Sequence, residues 1–186
     1  PVPGDYGNKI QEYTALTSGA ALSDFSDWRI VAVHGPDRKR FVHGLVTQNI
    51  NTLMPGQGHY ALHLTVHGRI VTDLWVFDRG ESLCLFVPPY AADALCEVMH
   101  KYLIMDDARI EDQTSARSLL FLQGPQSAAL LDTLLGSSAH TMPKNTCQDK
   151  ILDTNPVTLF RLDHFGEEGY ALLLDRAQAP AAWSFI

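Results

Sequence analysis

Asp73 is the residue whose neighbours ask most directly for a chemical explanation. It interrupts the apolar run from Ile70 to Phe77, and a carboxylate is costly to bury without a partner. In a strand, Val71, Asp73, Trp75 and Phe77 share one side. An acid set between aromatic rings suits the floor of a pocket for a flat ligand with a polar edge. The plainer reading, an outward-facing acid on an alternating strand, fits the same spacing. Glu167 and Glu168, in Gly166-Glu167-Glu168-Gly169, read either as a solvated hairpin tip or as a carboxylate accepting paired hydrogen bonds from adjacent N–H donors of a ligand.

Other constellations carry less. His59, His63 and His67 recur every four residues. On the strand expected there they lie too far apart along the backbone to converge on one ion, so they read as a solvated strand face and no metal site is expected. Cys84, Cys96 and Cys147 form no Cys-x-x-Cys pair and read as buried thiols of a reducing compartment. Gly124-Pro125 opens a helix as a structural cap, without the glycine pattern or lysine of a phosphate loop. No Gly-x-Ser-x-Gly or Cys/His arrangement speaks for nucleophilic hydrolysis.

These side chains need elements to hold them. Residues 28–33 are rich in strand formers. Pro36 then starts a helix over about 36–46 with Phe41 and Leu45 on its inner face. Residues 59–66 alternate so that Tyr60, Leu62, Leu64 and Val66 make the apolar side of a strand, which turns at His67-Gly68-Arg69 into a return strand over 70–77. Strand signals recur at 83–87, 108–111, 119–123, 157–162 and 170–174. Helical spacing appears over 90–105, 124–136 and from about 177, with a short helix over 11–21. Residues 136–155 read as a polar loop, and no internal repeat is visible. Hairpins separated by helices predict an α+β fold of antiparallel sheets with flanking helices, not a doubly wound parallel one.

The chain has 186 residues, 46% apolar and 19% charged, enough for a real core. Its formal net charge of -7 argues against capture of nucleic acid through phosphate attraction. No apolar run approaches the roughly 20 residues of a spanning helix, and no secretory leader is expected, so the reading is a cytoplasmic protein. Residues 1–27 read as a leader and 28–186 as the folded domain, in two halves of about 28–113 and 117–186. The opening Pro1 and the abrupt end at Ile186 suggest a piece of a longer protein.

Four stretches together, Val33 through Gly35-Pro36-Asp37-Arg38 to Thr47, Gly58 to Phe77, Leu122-Gln123-Gly124-Pro125, and Arg161 to Tyr170, resemble the tetrahydrofolate-binding superfamily of the glycine-cleavage T-protein (aminomethyltransferase) and its YgfZ-type relatives, the YgfZ-type branch more closely. The resemblance implies the aminomethyltransferase folate-binding domain, here incomplete because the C-terminal β-barrel would follow Ile186. It also implies a reduced folate such as tetrahydrofolate as cofactor. Tyr60 falls beside the pterin, Asp73 on the acid near the reactive folate nitrogens (the one candidate catalytic residue), and Glu167 on the glutamate gripping the 2-amino-4-oxo edge. Departures stand at Thr72-Asp73, where T-proteins carry paired acids, and at Thr47-Gln48-Asn49, Phe77 and Asp163-His164-Phe165. The expected function is a folate-binding YgfZ-type accessory protein supporting iron–sulfur enzymes and, through them, tRNA modification, with no direct nucleic-acid or membrane contact. The alternative is a tetrahydrofolate-dependent aminomethyltransferase working with lipoyl-protein.

Overall fold

A computed structural model describes residues 7–136, 139–163 and 169–186. In chain order the elements are α1 (Lys9–Ser18), β1 (Ala21–Asp24), β2 (Arg29–His34), α2 (Arg38–His43), β3 (Gly58–Leu64), β4 (Ile70–Asp78), β5 (Ser82–Val87), α3 (Ala92–Tyr102), β6 (Arg109–Asp112), β7 (Arg117–Gln123), α4 (Ser127–Leu135), β8 (Thr146–Leu152), β9 (Asn155–Arg161), β10 (Gly169–Asp175) and α5 (Ala179–Phe185). They form two compact units, one of Ser26–Ser118 with Asn145–Cys147, the other of the chain up to Phe25 with Leu119–Lys144 and Gln148–Ile186.

The first of these units is a five-stranded sheet in the order β3-β4-β5-β2-β6, antiparallel at each of its four pairings. The hairpin registers Ala61 on Leu74, Leu62 on Asp73 and Tyr60 on Trp75. Alternation then sorts the side chains. Val31, Val33, Ala61, Leu74, Val76, Leu83 and Leu85 pack with Phe41 and Val42 of α2 and Leu95 and Met99 of α3 as the core. Asp73, Trp75 and Phe77 take the opposite face. The helix expected over 36–46 is shorter, because Gly44 closes it.

Strand β3 corrects the expected apolar side. Ala61 and His63 are the buried members, while Tyr60 is 42% and Val66 89% exposed. The sheet is bent at a register shift between His63 and Leu64, and the packed face is set by the Leu74 partner of Ala61, not by the number of apolar residues. His63 is thus no solvated histidine.

The other unit has the order β1-β7-β10-β9-β8, with a core of Leu120, Leu122, Leu131, Leu159, Leu172 and Leu174. The polar loop expected over 136–155 contains β8. Its sequence looks like a loop because it is an edge strand, burying only Cys147 and Leu152; the backbone ladder, not apolar alternation, holds it. Strand β1 was likewise not anticipated, and it pairs with β7 from Ala21 on Gln123 to Asp24 on Leu120.

Written in parallel, β3-β4-β5-β2 and β8-β9-β10-β7 have the same order, each set beginning in the chain with the strand that ends in Gly-Pro and runs into a helix (β2, β7), while the fifth strand differs, β6 following its set in the chain and β1 preceding. The chain therefore contains an internal repeat, contrary to the reading of the sequence. The side chains have diverged and the backbone demands have not. Gly35 (φ +101°) and Gly124 (φ +115°) both hold a left-handed conformation, and a Cβ would lie 2.3 Å from the Asp107 carbonyl oxygen at Gly35 and 2.6 Å from the Gly19 carbonyl oxygen at Gly124. Gly35→Ala is expected to cost about 2–3 kcal/mol from positive-φ strain and backbone collision. Denaturant unfolding checks it, and a loss below 0.5 kcal/mol, the scale of an ordinary surface change, would contradict this account.

Candidate functional site

Asp73 sits in mid-strand on β4, half-buried, and both carboxylate oxygens are engaged. Tyr60 Oη donates to Oδ2 at 2.9 Å and Tyr90 Oη to Oδ1 at 2.6 Å. The hairpin register places Tyr60: its β3 position opposes Trp75, two residues along the same face from Asp73, so Tyr60 lies diagonal to the acid. Tyr90 comes from the single 3-10 turn Pro89–Ala91 that follows β5. Below Asp73 the rings continue, Tyr60 to Trp75 at 5.0 Å and Trp75 to Phe77 at 6.1 Å between centroids.

The donors differ in freedom. Tyr60 lies against Trp75, whereas Tyr90 is 73% exposed. Trp75 is 5% exposed, and among the described residues its Nε1 has no acceptor. A buried indole N–H without a partner is an unmet donor in the wall of the site.

The hydroxyls respond to the acid. Burial, then the bond to Asp73 and its negative charge, pushes Tyr60 up to about 12. The Asp73 bond likewise raises Tyr90. Both phenols stay protonated donors at neutral pH, and donation to a carboxylate favours its charged form. Tyr60 binds its proton more tightly folded than unfolded, so its stabilisation is whole below the ordinary value of 10 and fades as pH rises from there towards 12. A phenolate absorbance titration is expected to show a tyrosine step near pH 12 that disappears in Tyr60→Phe. A wild-type titration in which every tyrosine ionises near pH 10 would contradict the pairing.

Of the residues singled out in the sequence, the structure joins Tyr60 and Asp73. Glu167 lies outside the described residues. Tyr90 was missed because nothing in Pro88-Pro89-Tyr90 links it to a residue seventeen positions earlier; the signal was a tyrosine immediately after the strand that neighbours β4. Among the described residues no group of three or more His, Cys, Asp and Glu side chains could hold a metal ion, and no helix is long and apolar enough to cross a membrane. Cys84 and Cys147 are buried, Cys96 is half-buried, and none of the three forms a disulfide.

Comparison with known proteins follows the same lines. The family described as the GCVT N-terminal domain matches residues 3–186. A curated aminomethyltransferase of Rubrobacter xylanophilus is 29% identical over 184 residues, covering 98% of this chain and 49% of the relative. One from a Synechococcus is 27% identical over 195 residues, covering 98% and 52%. The chain spans about half the length of the curated relatives it matches. The crystal structure of the glycine cleavage system aminomethyltransferase T from Bartonella henselae superposes with a TM-score of 0.83 over 95% of this chain and 47% of that one, at 24% identity, and shares the α+β fold of antiparallel sheets.

Proposed function

Since this chain belongs to the GCVT N-terminal domain family, we propose that it supplies the folate-handling part of a tetrahydrofolate-dependent aminomethyltransferase or closely related one-carbon transferase. The observation that carries the reading is the Asp73 carboxylate held between two tyrosine hydroxyls over the Trp75 and Phe77 rings. The aminomethyltransferase names of the relatives support it. They favour the transferase alternative over the YgfZ-type accessory reading, and lend no support to its iron–sulfur and tRNA links.

The residues fit a reduced folate. Its flat ring matches the aromatic wall, its ring N–H groups match a carboxylate acceptor, and the unmet Trp75 Nε1 offers a donor to an acceptor on the same ligand. When bound, the folate would supply the nitrogen that takes up a one-carbon unit. Tyr60 and Tyr90 both donate to Asp73 and fix its plane. Asp73 accepts the N–H of the incoming ring and is placed to receive its proton when that nitrogen reacts. Glu167 is proposed to grip the 2-amino-4-oxo edge, and a lipoyl-protein to deliver the one-carbon unit.

Equilibrium titration with tetrahydrofolate tests the tyrosines. Tyr60→Phe and Tyr90→Phe each remove one donor to the acid, worth about 1 kcal/mol at these partly exposed positions, or roughly fivefold in affinity. Full affinity in both variants would remove the tyrosines from the site. Full affinity in Glu167→Ala would sink the pterin-edge assignment.

A further inference from the structure

His63 is the one histidine of the four-residue series that the fold buries, and the folate reading makes no use of it. Its ring is 6% exposed, and Nδ1 lies 2.7 Å from the Leu45 carbonyl oxygen. A carbonyl only accepts, so Nδ1 carries the proton and Nε2 of the neutral ring is an acceptor. Among the described residues Nε2 has no partner. His63 lines a cavity of about 800 Å³ between β3, α2 and the end of α3, within the span of small-molecule sites, roughly 300–1,000 Å³. Phe41, Leu45, Leu64, Val66, Tyr102 and Met105 supply its apolar wall.

Charge at the rim narrows the ligand. Arg40 reaches the cavity, but its guanidinium is paired with Asp106 at 2.7 Å and with Asp37 at 3.1 Å. One cation facing two acids leaves nothing to attract an anion. Of the polar side chains in the wall, Arg40 and Asp106 pair with each other and Thr65 Oγ1 accepts from the Arg69 N–H, so His63 Nε2 is the buried acceptor left open, and the wall rewards a ligand that is uncharged, mostly hydrocarbon and equipped with a donor. We propose that this cavity is a binding site for a small uncharged ring compound carrying one hydroxyl or ring N–H, with His63 Nε2 as its anchor. The proposal is independent of the folate reading, because Asp73, Tyr60 and Tyr90 do not line this cavity.

Phenol is the probe, with toluene (same ring, no donor) and benzoate (same ring, charged) as controls, added to the full chain. The readouts are the His63 Nε2 nitrogen resonance and the Leu45 and Met105 methyl resonances. Phenol is expected to shift all three and to bind at least tenfold more tightly than toluene, while benzoate shifts none. His63→Phe should abolish the preference for phenol. Met105→Trp changes a side chain that is 89% exposed, so it tests the cavity without burdening the core, and is expected to block phenol by filling the mouth. Phenol that leaves Nε2 unmoved, toluene that binds equally well, or unaltered phenol binding in Met105→Trp would overturn the proposal.

Discussion

Asp73→Asn is expected to weaken tetrahydrofolate binding by about 2–3 kcal/mol, roughly 30- to 150-fold, while leaving the fold intact. The change keeps the side-chain volume and removes the charge. Two tyrosine hydroxyls at 2.9 and 2.6 Å are matched to an acceptor with two equivalent oxygens; an asparagine offers one oxygen, and its amide nitrogen meets the other hydroxyl. The ligand loses a charge-assisted bond, and one tyrosine must accept from the amide N–H where it had donated to the carboxylate. Because burial is the largest reason for the raised Tyr60 value and the acid the next, the tyrosine should ionise at lower pH in the variant without returning fully to 10. Equilibrium binding and the phenolate titration therefore read one change by independent signals. Unaltered affinity would place the folate elsewhere.

The second large effect concerns stability. Asp78 is wholly buried at the end of β4, where Lys39 of α2 meets its Oδ2 at 2.6 Å. The Gly80 N–H donates to Oδ1 at 2.8 Å, and the Lys39 ammonium also donates to the Leu53 carbonyl oxygen at 2.6 Å. The pair pins α2 to the β4–β5 turn. Lys39→Met leaves the acid buried and uncompensated and should cost about 3–5 kcal/mol, whereas the double variant Lys39→Met with Asp78→Met should recover a large part of that loss. Urea unfolding of the single and double variants checks both statements. A double variant no more stable than Lys39→Met would show that the acid's bond to the Gly80 N–H, and not its charge, is what matters.

The hairpin bearing the site was legible in the sequence because its signals agree. Period-two alternation over 59–66, a Gly turn at 67–69 and a carboxylate in the apolar run over 70–77 all describe the hairpin, with Asp73 on the Trp75 face of β4. The Gly-Pro punctuation similarly located the starts of α2 and α4, since only glycine tolerates the backbone contacts at those corners. What escaped was set by tertiary partners. Strand β8 hid because an edge strand needs few apolar side chains. The packed face of β3 was inverted because Tyr60, Leu62 and Leu64 outnumber Ala61 in hydrophobicity, yet the core closes on Ala61 and His63. The internal repeat lay in strand order, which side chains no longer record. Tyr90 joined the site through a connection between strands that local pattern does not encode.

Calorimetric titration of tetrahydrofolate into the wild-type chain, with Asp73→Asn in parallel, tests the central claim most directly. The arrangement of Asp73, Tyr60 and Tyr90 predicts saturable binding of one folate per chain, weakened at least 30-fold in the variant. No saturable heat from the wild type, or equal affinity in the two proteins, would contradict it.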